Sequence, residues 1–194
     1  MMTSEPYDAV VLAGGRARRL DGADKPGLVV GGRPLVAWVA AAVAGAGRMV
    51  LVGPERPGLP RAISVQEDPP GSGPVPALRA GLARVRAPWV AVLAADLPFL
   101  RPEHVDELRR QARGRSGAIL ADDDDRPQWL AGVWRVADLF GALDVYRAGS
   151  LRGLMDPLAP ARVRATAGER PAWYDCDTQA DVETAFRMIG ENSA

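Results

Sequence analysis

The chain is poor in the residues that most often carry metal, redox or acid–base chemistry. Its 194 residues include one cysteine, Cys176, and one histidine, His104. A single cysteine excludes an intrachain disulfide, and with one histidine it leaves no Cys/His set for a zinc site. Nowhere do about 18 apolar residues run unbroken, so no membrane span is expected. The opening stretch MMTSEPYDAVVLAGG has neither a basic n-region nor a long apolar h-region. No signal peptide is therefore expected, and the cytoplasm is the expected compartment. An excess of positive charge is also missing. Lys+Arg and Asp+Glu both number 24, for a formal net charge of +0, which argues against a nucleic-acid binder.

What remains is an ordinary globular composition, 47% hydrophobic and 25% charged. A chain of this length buries roughly 70% of its unfolded surface without staples. The spacing predicts one domain over 1–194, with a core of about 7–189. Strands are predicted at Tyr7–Leu12, Met49–Val52, Ala62–Val65, Trp89–Ala94, Ala118–Ala121, Leu130–Trp134 and Arg162–Ala165. Helices are predicted at Leu35–Ala44, with Pro34 at its first turn, Pro76–Val85, Glu103–Gln111, Val136–Tyr146, Leu151–Leu158 and Asp181–Ile189, the last capped by Asp177 or Thr178. Apolar strands alternating with helices imply an α/β, Rossmann-like fold: a mostly parallel mixed sheet with helices on both faces. PERPGLP (54–60) reads as a connector, and Asp122–Asp125 as a solvated turn.

In open sheets of this kind, ligands sit beyond the carboxyl ends of the strands. Three unusual segments fall there. After the first strand, AGGRARRLDGADKP places Gly14 and Gly15 ahead of Arg16, Arg18, Arg19 and Lys25. Glycines let the backbone approach a ligand, and successive N–H groups can face phosphate oxygens. The segment is either a solvated loop or a wrapper for a strong anion. It is not a P-loop or a dinucleotide fingerprint, whose glycine spacings are absent. Asp96 ends the apolar run WVAVLAAD; it is either a cap or a hard oxygen ligand suited to Mg²⁺. QEDPPGSGPVPALRAGL (66–82) is either a plain connector or a rigid loop in which Glu67 or Asp68 meets a base or ribose. In DCDT, Asp175 and Asp177 alternate as on a strand, as a cation or substrate contact or a cap. Cys176 between them reads as buried filler, and His104 as a capping or surface residue.

LAGGRARRLDGADKP resembles the L-A-G-G-x-[SA]-x-R-[ML]-x-x-x-D-K signature of nucleotidyltransferases that activate sugars, polyols and the molybdenum cofactor. With AADLPFLRP, GSGP and DCDT, the chain looks most like the molybdenum cofactor guanylyltransferases, from about Val10 to about Ala185. That resemblance implies Mg²⁺-dependent transfer of GMP from GTP to the terminal phosphate of molybdopterin, releasing pyrophosphate. It implies that Leu12, Ala13, Gly14, Gly15, Lys25, Asp68 and Asp96 bind the nucleotide. Lys25, Asp96 and Arg19 become the candidate catalytic residues, and Asp96 and Asp177 the candidate metal ligands. It further implies a monomer or weak homo-oligomer, in contact with molybdoenzymes or other cofactor-synthesis proteins. The chain departs from the family pattern at Gly53-Pro54, at Gly73–Ala77 and at Asp175–Thr178. The alternatives are therefore a sister enzyme with another base or acceptor, such as a cytidylyl, phospholactate or sugar-phosphate transferase, or a non-catalytic nucleotide- or pterin-binding partner protein.

Overall fold

The computed structural model describes residues 5–14, 24–56, 58–164 and 170–190. Its architecture follows from one strand. β1, Tyr7–Leu12, is buried along its whole length, so both of its faces must be covered. Alternate side chains serve different layers. Tyr7, Ala9 and Val11 join one apolar cluster, and Val10 and Leu12 join another on the opposite face. The charged member of the strand, Asp8, is buried and accepts hydrogen bonds from the backbone N–H groups of Arg86 and Ala87 at 2.7 and 3.1 Å. Those bonds offset the cost of burying its carboxylate.

Among the described residues nine strands form in chain order: β1; β2, Val29–Val30; β3, Arg33–Pro34; β4, Met49–Val52; β5, Ile63–Val65; β6, Trp89–Ala94; β7, Gly117–Ala121; β8, Pro127–Arg135; and β9, Ala161–Arg164. Seven of them make one sheet in the order β5-β4-β1-β6-β8-β7-β9. β1 pairs in parallel with both β4 and β6, while β8 runs antiparallel to β6 and β7. The helices are α1, Leu35–Ala42; α2, Pro74–Leu82; α3, Pro102–Gln111; α4, Val136–Val145; α5, Leu151–Met155; and α6, Gln179–Gly190. α1 and α3 cover one face of the sheet through Val36, Val39, Val105 and Leu108. α2, α4 and α5 cover the other through Leu78, Leu82, Leu139, Leu143 and Leu154. Among the described residues no helix is long and apolar enough to cross a membrane.

The predicted α/β architecture holds, and three local expectations are corrected. Pro34 pairs in a small β2–β3 hairpin and caps α1 instead of opening it. Gly31 and Gly32, at φ +58 and +74, make the two-residue turn that its strand twist requires. The segment 175–178 is irregular chain, not strand, because Thr178 caps α6: its hydroxyl accepts from the Asp181 N–H while Asp181 accepts from the Thr178 N–H. The predicted helix 151–158 stops at Met155 and continues as a 3₁₀ turn, Asp156–Leu158, because Pro157 cannot supply a helical N–H. Of the predicted strand Arg162–Ala165, residue 165 lies outside the described residues.

Candidate active site

From β1 the chain passes through α1 to β4 on one side and later returns as β6 on the other. The strand order therefore reverses at β1/β6, where a doubly wound sheet opens a crevice at its carboxyl edge. A cavity of about 1190 Å³ lies there. Leu12, Ala13 and Gly14 line it from the end of β1, and Ala94, Ala95 and Asp96 from the end of β6. Glu67, Gly73 and Ala77 add the α2 side, and Trp129, Arg152 and Trp173 also line it. A ligand pocket for one drug-sized molecule is commonly 300–1,000 Å³, so this one has room for a nucleotide and part of a second substrate.

The charged centre of the cavity is built from three distant points of the chain. Lys25 begins a 3₁₀ turn, Lys25–Gly27, just before β2. Its Nζ pairs with Asp96 and donates to Asp177 Oδ1 at 2.5 Å. Packing explains the meeting. Cys176, the neighbour of Asp177, is fully buried in a third apolar cluster with Val30, Leu35 and Phe99. That cluster ties together the segment after Lys25, the loop after Asp96 and the segment before α6. Burial pushes the Lys25 pKa down, but the two carboxylates outweigh it and the net shift is upward, so the ammonium stays charged. Burial, then Asp177 and Asp96, raise the Asp175 carboxyl, although its side chain stands open at the cavity rim. Burial likewise pushes the Cys176 thiol up to about 12, which fits filler and not a nucleophile.

Asp96 is 8% exposed. One of its carboxylate oxygens serves Lys25; the other, Oδ1, is buried with no hydrogen-bond partner among the described residues. A buried carboxylate oxygen left over in this way fits a hard cation. Among the described residues no cluster of three or more His, Cys, Asp or Glu could hold a metal alone. The donor set suits Mg²⁺, which takes one or two carboxylates and completes its shell with substrate phosphates and water.

Leu12, Ala13 and Gly14 line the cavity, and a Cβ at Gly14 would make an ordinary contact with Val52 O at 3.6 Å. Gly53 packs against them so closely that its Cβ would meet Ala13 C and Gly14 N at 3.0 Å. Gly15 and Arg19, with Arg16 and Arg18, lie outside the described residues. Asp68 is exposed, and Glu67, not Asp68, lines the cavity. The Glu67 carboxylate accepts from the Gly71 N–H at 2.8 Å and holds the loop before α2. His104 caps α3, its Nδ1 accepting from the Arg101 N–H at 3.1 Å. In the acidic turn, Asp122 accepts from the backbone of Asp124 and Arg126, and Asp125 pairs with Arg162 and Arg164. Trp129 and Trp173, which also line the cavity, escaped sequence reading because neither residue stands in a motif.

A reversing parallel sheet, a glycine loop after its first strand, and a lysine–aspartate pair at the switch point define a Rossmann-like nucleotidyltransferase fold. The solved molybdopterin-guanine dinucleotide biosynthesis protein A from Archaeoglobus fulgidus has this fold; it superposes with a TM-score of 0.72 at 19% identity, covering 95% of this chain and 99% of that one. Residues 9–163 match the MobA-like NTP transferase domain. The molybdenum cofactor guanylyltransferase of Xanthomonas euvesicatoria is 33% identical over 199 residues, 99% of each chain. That of Serratia proteamaculans is 31% identical over 186 residues, 91% of this chain and 92% of its own. The chain belongs to the MobA-like NTP transferase family.

Proposed function

We propose that the protein transfers GMP from GTP to the terminal phosphate of molybdopterin, with or without bound molybdenum, and releases pyrophosphate. The observation that carries this reading is the convergence of Lys25, Asp96 and Asp177 in the cavity between the ends of β1 and β6. The guanine and the acceptor come from the named relatives.

The residues suit that chemistry. An acceptor phosphate oxygen attacks the α-phosphorus of GTP. A new P–O bond forms as the bond to the β-phosphate oxygen breaks, and the electron pair leaves with pyrophosphate. A phosphate monoester has its second pKa near 6 and is already ionised at neutral pH, so no general base is required. The scarcity of histidine is then no handicap. Charge builds on the departing pyrophosphate, so positioned cations and backbone dipoles supply most of the catalysis. Lys25 and the amides around Gly14 hold the phosphates, and Arg19 supplies a further cation. Asp96, joined by Asp177, would hold Mg²⁺, which neutralises phosphate charge when bound. Lys25 keeps these two carboxylates from facing incoming phosphates as bare negative charges. Small substrates, no nucleic acid and no membrane, and a cytoplasmic setting complete the reading.

The test mixes protein, Mg²⁺ and molybdopterin with GTP, CTP, ATP or UTP in turn and measures pyrophosphate. GTP is expected to give release that Lys25→Ala lowers by about 100-fold, the scale of one transition-state charge contact. Release with CTP alone would reassign the base, and no release with any nucleotide would refute catalysis.

A further inference from the structure

The connector Gly53–Pro60 between β4 and β5 carries one charged side chain that reaches toward the catalytic lysine. Arg56 makes a two-pronged ion pair with Asp24: Nη2 donates to Oδ1 at 2.5 Å and Nη1 donates to Oδ2. Asp24 immediately precedes Lys25, and its backbone carbonyl accepts from the Gly27 N–H at 2.9 Å. The 3₁₀ turn that presents Lys25 thus begins at a residue fixed from across the sheet edge. Gly27 is cut to fit this pair. A Cβ there would stand 3.3 Å from Arg56 Nη1 and collide with the Asp24 carboxylate. Arg56 is itself anchored, since its carbonyl accepts from the Leu59 N–H at 2.8 Å and Leu59 packs against the apolar core. Its side chain is 15% exposed, and its Nε is buried with no hydrogen-bond partner among the described residues. Neither Arg56 nor Asp24 lines the cavity.

We infer that Arg56 is a positioning residue for nucleotide binding: through its fork on Asp24 it fixes the turn that aims Lys25 at the phosphates. This rests on the phosphate role proposed for Lys25. Two physical effects combine. A planar guanidinium gripping both carboxylate oxygens sets orientation as well as distance, which a lysine ammonium cannot do. Arg56 also neutralises Asp24, so the turn that carries Lys25 opens on a paired and not a bare carboxylate. The link runs along the chain, from the Asp24 fork through the turn that Asp24 opens to Lys25, so its effect on nucleotide binding is expressed through Lys25.

The experiment is a double-mutant cycle on GTP affinity, measured by titration calorimetry with Mg²⁺ on the full chain. Arg56→Met is expected to weaken GTP about tenfold, within the range of coupling between neighbouring residues. Arg56→Lys is expected to recover only part of that. In a Lys25→Ala background, Arg56→Met is expected to change affinity by less than about twofold. Asp24→Asn tests the same link should Arg56→Met not fold. Equal weakening in both backgrounds would make the pair merely structural and overturn the inference, as would wild-type affinity in Arg56→Met and Asp24→Asn. If wild type binds GTP but Lys25→Ala binds it equally well, the phosphate role of Lys25 fails first and takes the inference with it.

Discussion

Gly81, in the last turn of α2, sets how closely that helix lies on the sheet. A Cβ at this position would stand 2.5 Å from Val10 Cγ1 and 2.9 Å from Val52 Cγ2. Carbon atoms prefer 3.5–4.0 Å, so Gly81→Ala must push α2 outward by about 1 Å. The two valines cannot yield easily, because both are buried and β-branched side chains are stiff at χ1. Overpacking of this kind costs about 1–3 kcal/mol. Alanine returns up to about 1 kcal/mol through its better helix propensity. With rigid neighbours on both sides, the net loss is expected at about 1–2 kcal/mol. For a chain of this size that lowers Tm by about 2–8 °C, readable by calorimetry or circular dichroism. The same displacement moves Gly73, Pro74 and Ala77, which line the cavity, so GTP affinity falls as well. An unchanged or higher Tm would refute the close-packing account of α2.

Two further perturbations probe the charged centre. Asp175 has its pKa raised in the folded chain, so its contribution to stability is full below the unfolded value of about 3.9 and is lost as pH rises through the folded value. Asp175→Asn is therefore expected to melt about a degree higher than wild type at pH 7, a small effect because the side chain is open to water. The gap should close below about pH 4; a lower Tm at pH 7 would contradict the assignment. Cys176 is fully buried with its thiol pushed up to about 12. It is expected to resist iodoacetamide at pH 8 in the folded protein and to react fully in denaturant; rapid labelling of the native chain would place it at the surface.

The strands were most legible where burial is two-sided. β1, β4 and β6 fall on the predicted residues because each is an apolar run that packs on both faces. β8 begins three residues before its apolar stretch, since Pro127 and Gln128 pair only at the mouth of the cavity and need no apolar character. The β2–β3 hairpin was written in Val29-Val30-Gly31-Gly32, but two residues per strand give no periodicity to read. Lys25 and Asp96 each carried a local signal, a cation after a glycine loop and a carboxylate after an apolar strand. Asp177 carried less, and it reaches Lys25 only because Cys176 is buried beside Val30 and Leu35. The bond between Arg56 and Asp24 had no sequence signal, because nothing in PERPGLP indicates where its arginine points.

The most direct measurement follows the phosphorus atoms of GTP. With Mg²⁺ and molybdopterin, label at the α-position is expected to appear in a dinucleotide and label at the γ-position in pyrophosphate, both sharply reduced in Asp96→Asn. Release of γ-label as orthophosphate, or α-label that never leaves the nucleotide pool, would contradict guanylyl transfer at the Lys25–Asp96 centre.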